Sequence, residues 1–140
     1  MPVSLDGQTY EVYIHKRPGV DEFLRRLSPF YEIVIFTASL KNYADPLLDR
    51  LDRFGYCSYR LYREHCVMHD GVYVKDLSRI GRDLKDVIII DNADFSYLFQ
   101  PENAMPCLSW YDDPRDTELL DMIPILQALG SVGISLIVGS

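Results

Sequence analysis

Two apolar runs in this chain stop on residues that could do chemistry. Val87-Ile88-Ile89-Ile90 is an uninterrupted β-branched run, typical of a parallel strand buried on both faces, and it ends in Asp91-Asn92. Ile33-Val34-Ile35-Phe36 stops in a similar way, on Thr37-Ala38-Ser39. In open α/β sheets ligands bind in the crevice beyond the carboxyl ends of the strands, where backbone amides already point. A hydroxyl, a carboxylate and an amide collected there suit an oxyanion, and Lys75, a short helix or turn upstream of Val87, adds a cation. Plainer readings exist for each residue: Asp91-Asn92 as the start of a turn, Thr37 or Ser39 as the cap of a following helix. Two strands ending in this manner favour the crevice.

The elements that must position these residues follow from the rest of the chain. Asp6-Gly7 and Asp70-Gly71 each stand between alternating apolar segments, the pattern of β-hairpins whose turn positions need positive φ. The first hairpin runs from Val3 through Tyr10, Val12 and Ile14. The second takes in the alternating stretch from Phe54 to Val74, including Tyr59, Leu61, Arg63 and Val67. Val20, Phe23, Leu24 and Leu27 have helical spacing behind Asp21, and Tyr43, Leu47, Leu48 and Leu51 predict a second helix. A short strand is expected near Met105 to Leu108 and a final amphipathic helix over Asp116 to Leu129, closed by Gly130. Cys66 and His69 have a spacing seen in zinc sites, but a structural zinc takes four ligands and Cys57 is the one other obvious candidate, so the pair reads as hairpin residues.

Composition excludes several classes. The chain has 140 residues, 48% of them hydrophobic, enough for one domain with a single core. A formal net charge of −7 argues against holding nucleic acid directly by phosphate neutralisation, although a local cationic pocket can still hold a phosphate. Three cysteines and no signal-like N-terminus suggest free thiols in a reducing compartment, nuclear or cytoplasmic. No apolar run approaches the roughly 20 residues of a membrane span.

Lys-Arg-Pro-Gly-Val-Asp-Glu-Phe-Leu at 16–24, Phe-Thr-Ala-Ser-Leu at 36–40, Tyr-Ala-Asp-Pro at 43–46 and Val-Lys-Asp-Leu-Ser-Arg-Ile-Gly-Arg-Asp-Leu at 74–84 together resemble the small phosphatases that act on the C-terminal domain of RNA polymerase II. Asp91-Asn92 and Ser109-Trp110-Tyr111-Asp112-Asp113 continue the likeness, which covers about Val3 to Gly130. These enzymes are magnesium-dependent aspartyl phosphatases of the haloacid dehalogenase superfamily. The resemblance implies an α/β fold, a haloacid-dehalogenase-like Rossmannoid parallel sheet with inserted β-hairpins. It also implies phosphoryl transfer from a phosphoserine peptide to an aspartate. By position, Thr37 resembles the hydroxyl that binds the phosphoryl group and Lys75 the lysine that neutralises it. Asp91 resembles the magnesium ligand, and Asn92 the neighbour that orients phosphate or water. Arg63, Leu40 and Tyr43 resemble substrate-binding residues, and the resemblance implies that Leu40, Tyr43, Val12 and Ile14 receive a proline next to the phosphoserine of the peptide.

One part of the pattern is missing. Such enzymes open on an apolar strand ending Asp-x-Asp-x-Thr or Asp-x-Asp-x-Val, whose first aspartate is the nucleophile and whose second is the general acid and base. Here the nearest stretch, Leu5-Asp6-Gly7-Gln8-Thr9-Tyr10, puts Gln8 at the second acidic position, and an amide cannot cycle a proton at neutral pH. The expectation is a phosphatase-like domain over residues 1–130 that starts after its catalytic strand and is inactive alone. The alternative is a non-catalytic relative that binds phosphoprotein. The absent strand would lie between the strands ending at Thr37 and Asp91, leaving a slot with unpaired backbone on both sides. Either the flanking strands close up and pair, or another segment fills the slot, or the chain is poorly folded alone; the short apolar tail at 131–140 is the spare β-prone run for that slot, through Ile134-Ser135-Leu136-Ile137-Val138, with disorder of the tail as the alternative.

Overall fold

The computed structural model describes residues 2–11, 15–130 and 133–139. A hairpin of β1 (Pro2–Leu5) and β2 (Gln8–Glu11) comes first, turning on Asp6 and Gly7 at φ 50° and 77°. Val12 and Ile14 lie outside the described residues. Helix α1 (Val20–Leu27) carries Asp21 and Glu22 in its first turn and Arg25 and Arg26 in its last, charges that suit the helix dipole. Its cap is Gly19, at φ 85°, and a β-carbon there would lie 2.6 Å from Leu120, so both conformation and packing require glycine.

β3 (Glu32–Phe36) leads into α2 (Lys41–Leu51), which is capped by the extended backbone of Leu40 with no side-chain bond. Neither Thr37 nor Ser39 caps this helix. The Thr37 hydroxyl oxygen instead accepts the Ser39 amide at 3.0 Å. β4 (Tyr59–Leu61) follows, then β5 (Val67–His69) and β6 (Val72–Val74), whose hairpin turns on Asp70 and Gly71 at φ 47° and 83°. The expected second hairpin is therefore shorter than the alternating stretch. Tyr59 and Leu61 belong to a parallel pair with β3, not to the hairpin. β7 (Val87–Asp91), β8 (Ala104–Pro106), α3 (Glu118–Leu129) and β9 (Ser135–Gly139) complete the chain.

Five strands form one parallel sheet in the order β4-β3-β9-β7-β8. The last strand in sequence is thus the middle strand in space. Ser135 through Gly139 pair with Glu32 through Phe36 on one side, and Ser135 through Val138 pair with Val87 through Ile90 on the other. Leu136 and Ile137 are wholly buried, one on each face. A buried aliphatic side chain contributes roughly 1.5–3 kcal/mol, so these two anchor the strand strongly.

The two faces are covered differently. On one, Ile33, Ile90 and Leu136 pack under α1 and α3, while Ile35 packs under α2 with Ala44 and Leu48. On the other, Val34, Phe36, Val87, Ile89 and Ile137 meet Leu77, Ile80, Tyr97 and Cys66, which come from short 3₁₀ turns and the loop before β5. Among the described residues no α-helix covers that second face. No helix of the described residues is long and apolar enough to cross a membrane.

Candidate active site

Parallel pairing brings the ends of β3, β9 and β7 abreast, with Phe36 opposite Gly139 and Asp91 one residue past the Ile90–Val138 pair. At this end Lys75 Nζ donates to Asp91 Oδ2 at 2.6 Å, and each side chain is 2% exposed. Asp91 Oδ1 accepts the Ala93 amide at 3.0 Å, which folds the chain back just after β7. Lys75 is held by its own amide, bonded to the Ser96 carbonyl at 2.8 Å, and its ammonium stands 5.9 Å from the centroid of the Phe36 ring. Two buried charges of opposite sign in this geometry satisfy one another, and removal of either would leave an uncompensated buried ion.

Thr37 is buried at the end of β3, its amide bonded to the Leu61 carbonyl at 2.9 Å. With its oxygen already accepting from Ser39, the hydroxyl still has a proton to donate. Arg63 braces the same loop: its Nε donates to the Ala38 carbonyl at 2.7 Å, its amide donates to the Ser39 carbonyl at 3.1 Å, and its guanidinium lies 5.2 Å from the centre of the Tyr73 ring. Leu40 is exposed and Tyr43 half-buried on the first turn of α2, one turn apart. Asn92 is exposed, and its amide nitrogen donates to the Ser109 hydroxyl at 2.9 Å. Thr37, Lys75 and Asp91 therefore gather at the strand ends, with Arg63, Leu40 and Tyr43 along the β3–α2 side and Asn92 toward the 109 loop.

A ring of polar groups flanks Leu40. Tyr62 donates its hydroxyl to Asp45, which also pairs with Lys41 at 3.1 Å and Arg60 at 3.2 Å. Burial pushes the Asp45 carboxyl up, but those hydrogen bonds outweigh it and hold the group below the ordinary carboxylate range. Burial likewise pushes the Cys66 thiol up against the opposing pull of Lys75 and Arg63, which keeps it protonated beside the site. Among the described residues no group of three or more His, Cys, Asp or Glu could hold a metal ion.

Magnesium, implied at Asp91, does not fit the donors present. It demands near-octahedral oxygen coordination, whereas Asp91 faces the Lys75 ammonium and no group of three or more His, Cys, Asp or Glu gathers with it among the described residues.

The residue that sequence reasoning missed is Gly139. A β-carbon built there would lie 1.8 Å from Asp91 Oδ2 and 2.9 Å from Lys75 Nζ, so the ion pair fills the space a side chain would need. Its signal in the sequence is a glycine that looks like mere punctuation after an apolar tail.

The family model described as NLI interacting factor-like phosphatase matches residues 1–135. β9 lies beyond that match except for Ser135. The chain is 58% identical over 129 residues to a human CTD small phosphatase-like protein, covering 92% of this chain and 47% of the relative. It is 54% identical over 132 residues to human carboxy-terminal domain RNA polymerase II polypeptide A small phosphatase 1, covering 94% and 51%, and 50% identical over 132 residues to Phosphatase Herzog of Drosophila melanogaster, covering 94% and 38%. The chain spans about half the length of the first two of these relatives. The chain belongs to the NLI interacting factor-like phosphatases, and through them to the haloacid dehalogenase superfamily.

Proposed function

We propose that residues 1–130 form the phosphate-handling part of a protein serine/threonine phosphatase that acts on phosphoserine peptides, such as those of the RNA polymerase II C-terminal domain. The observation that carries this reading is the buried Lys75–Asp91 pair set beside Thr37 at the ends of parallel strands. It occurs in a chain at least 50% identical to relatives whose names include phosphatase, one of them named for the carboxy-terminal domain of RNA polymerase II polypeptide A. In such a reaction the Thr37 hydroxyl donates to a phosphoryl oxygen, and the Lys75 ammonium, once released from Asp91, offsets its charge. Asn92 orients phosphate or water from the 109-loop side. Leu40, Tyr43 and Arg63 line the side from which a peptide would approach.

These 140 residues taken by themselves are inactive in our reading. They contain no Asp-x-Asp-x-Thr or Asp-x-Asp-x-Val stretch, and the middle position of the sheet ends in Gly139, which has no side chain to attack phosphorus. Covalent phosphoryl transfer needs a nucleophile, and Thr37 and Lys75 position a phosphate without accepting it. β9 in the middle position favours a second reading for this form of the chain, that of a non-catalytic binder of phosphoprotein.

Two assays separate these statements. The purified 140-residue chain with magnesium and an aryl phosphate is expected to show no turnover; steady hydrolysis abolished by Asp91→Ala would overturn the inactivity. A longer chain preceded by an apolar strand ending Asp-x-Asp should hydrolyse phosphoserine peptide, with loss on Lys75→Ala. Silence of that longer chain with intact phosphopeptide binding would favour the non-catalytic reading instead.

A further inference from the structure

Asn92 follows directly on β7 and is exposed, so packing does not fix its side chain. Among the described residues that side chain makes one hydrogen bond, from its amide nitrogen to the Ser109 hydroxyl at 2.9 Å. An asparagine side chain turns about two bonds, and a group that acts on reacting atoms has to be held within about 0.5 Å of its productive place. For Asn92 that hold falls to Ser109.

Ser109 stands on a loop that is anchored on both sides of it. The Cys107 amide donates to the Asp91 carbonyl at 3.3 Å, which keeps the chain leaving β8 alongside the end of β7. The Leu108 amide donates to Glu118 Oε1, on the first residue of α3, at 3.1 Å. Arg17 clamps the same loop at two points: it donates to both Asp116 carboxylate oxygens, at 2.7 and 3.2 Å, and to Cys107 Sγ at 3.1 Å. The Arg17 and Asp116 side chains are 15% and 18% exposed, and a guanidinium fork on a carboxylate is among the stronger polar contacts. Beyond Ser109 the Trp110 indole donates to the Asp113 carbonyl at 2.7 Å. A hydroxyl carried by such a loop is an acceptor at a set place.

We propose that Ser109 is a positioning residue for Asn92. Its hydroxyl oxygen accepts from Nδ2 and fixes the plane of the amide, so that Oδ1 and the remaining N–H meet phosphate or water from a constant position. The inference rests on the phosphatase reading, in which Asn92 has that task. Leu40, Tyr43 and Arg63 lie on the β3–α2 side, so loss of the Ser109 hydroxyl should slow turnover and leave peptide binding as it was. A bond that merely tied two loops together would affect stability and not turnover.

The first measurement uses the 140-residue chain and needs no turnover: the side-chain amide protons of Asn92, followed by NMR. In the native chain they should resonate away from the positions of a free asparagine amide and exchange more slowly with solvent. Ser109→Ala should remove both signs while the backbone shifts of β7 and β9 stay in place, and Ser109→Thr should keep them. Protons that behave as a free amide in the native chain, or that ignore Ser109→Ala, would overturn the proposal. The second measurement uses the longer chain with its upstream Asp-x-Asp strand and a phosphoserine peptide. Ser109→Ala should lower kcat about tenfold, the order expected for one lost hydrogen bond, with KM unchanged and Ser109→Thr close to the native rate. An unchanged kcat, or a rise in KM alone, would also overturn it. Absence of turnover in the native longer chain would instead count against the phosphatase reading, and the Asn92 amide protons would still decide whether Ser109 holds that side chain.

Discussion

Gly139 and the Lys75–Asp91 pair constrain one another atom by atom. A methyl at 139 would overlap the Asp91 carboxylate, with 1.8 Å to Oδ2 and 2.5 Å to Cγ, so Gly139→Ala must push the strand or break the ion pair. Overpacking of this kind costs typically 1–3 kcal/mol, and a drop on that order in urea stability is expected. An unchanged midpoint would mean that residue 139 does not face Asp91. Lys75→Met leaves a buried carboxylate without its partner and should cost about 3–5 kcal/mol, whereas Lys75→Met with Asp91→Leu should recover much of the loss. Calorimetric titration of the chain with magnesium should give no heat of binding, because Asp91 is the one family ligand present and it faces the Lys75 ammonium. Thr37, Lys75 and Asp91 were readable in the sequence because each follows or adjoins an apolar strand that stops abruptly. Gly139 was not, because its meaning comes from a contact with a residue far away along the chain.

At the scale of elements, short-range chemistry was readable and pairing was not. Asp6-Gly7 and Asp70-Gly71 adopt the positive φ values that their residue types favour, and α1 starts and stops within a residue or so of its apolar spacing. β4 was misassigned because alternation at Tyr59 and Leu61 suits an edge strand and a hairpin equally, and nothing local says that the partner is β3. β3 and β9 are also tied at their start, where Glu32 accepts from the Ser135 hydroxyl at 2.7 Å and from Arg82. The Arg82 bond holds the Glu32 carboxyl below its ordinary value of 4.5, against a smaller opposing effect of burial. A depressed carboxylate stabilises the folded chain fully above its unfolded value and loses that contribution as pH falls through the lower folded one. Stability should therefore decline below about pH 4.5 by a larger amount in the native chain than in Glu32→Gln, as urea midpoints at pH 7 and near pH 3 would register. Equal acid slopes in the two proteins would rule out the Glu32 link.

For the whole molecule, the question is what occupies the middle of the sheet. A layer of parallel strands with helices on one face cannot keep an empty position at native packing density, so some segment has to lie between β3 and β7. Of the outcomes open to the sequence, the structure takes the one in which the tail inserts: β9 pairs along its length with β3 and along Ser135–Val138 with β7. Five apolar or small residues after Gly133 gave little local warning of a central strand, since most of its stabilisation comes from neighbours. Ile137→Ala should accordingly cost about 2–5 kcal/mol, the range for a buried aliphatic truncation, although it lies three residues from the end of the chain. The most direct measurement is native-state amide hydrogen exchange across the sheet. If β9 is the middle strand, amides from Ser135 to Val138 should be protected to a degree comparable with Ile33–Phe36 and Val87–Ile90. Rapid exchange at 135–138, with those two flanking strands still protected, would contradict it.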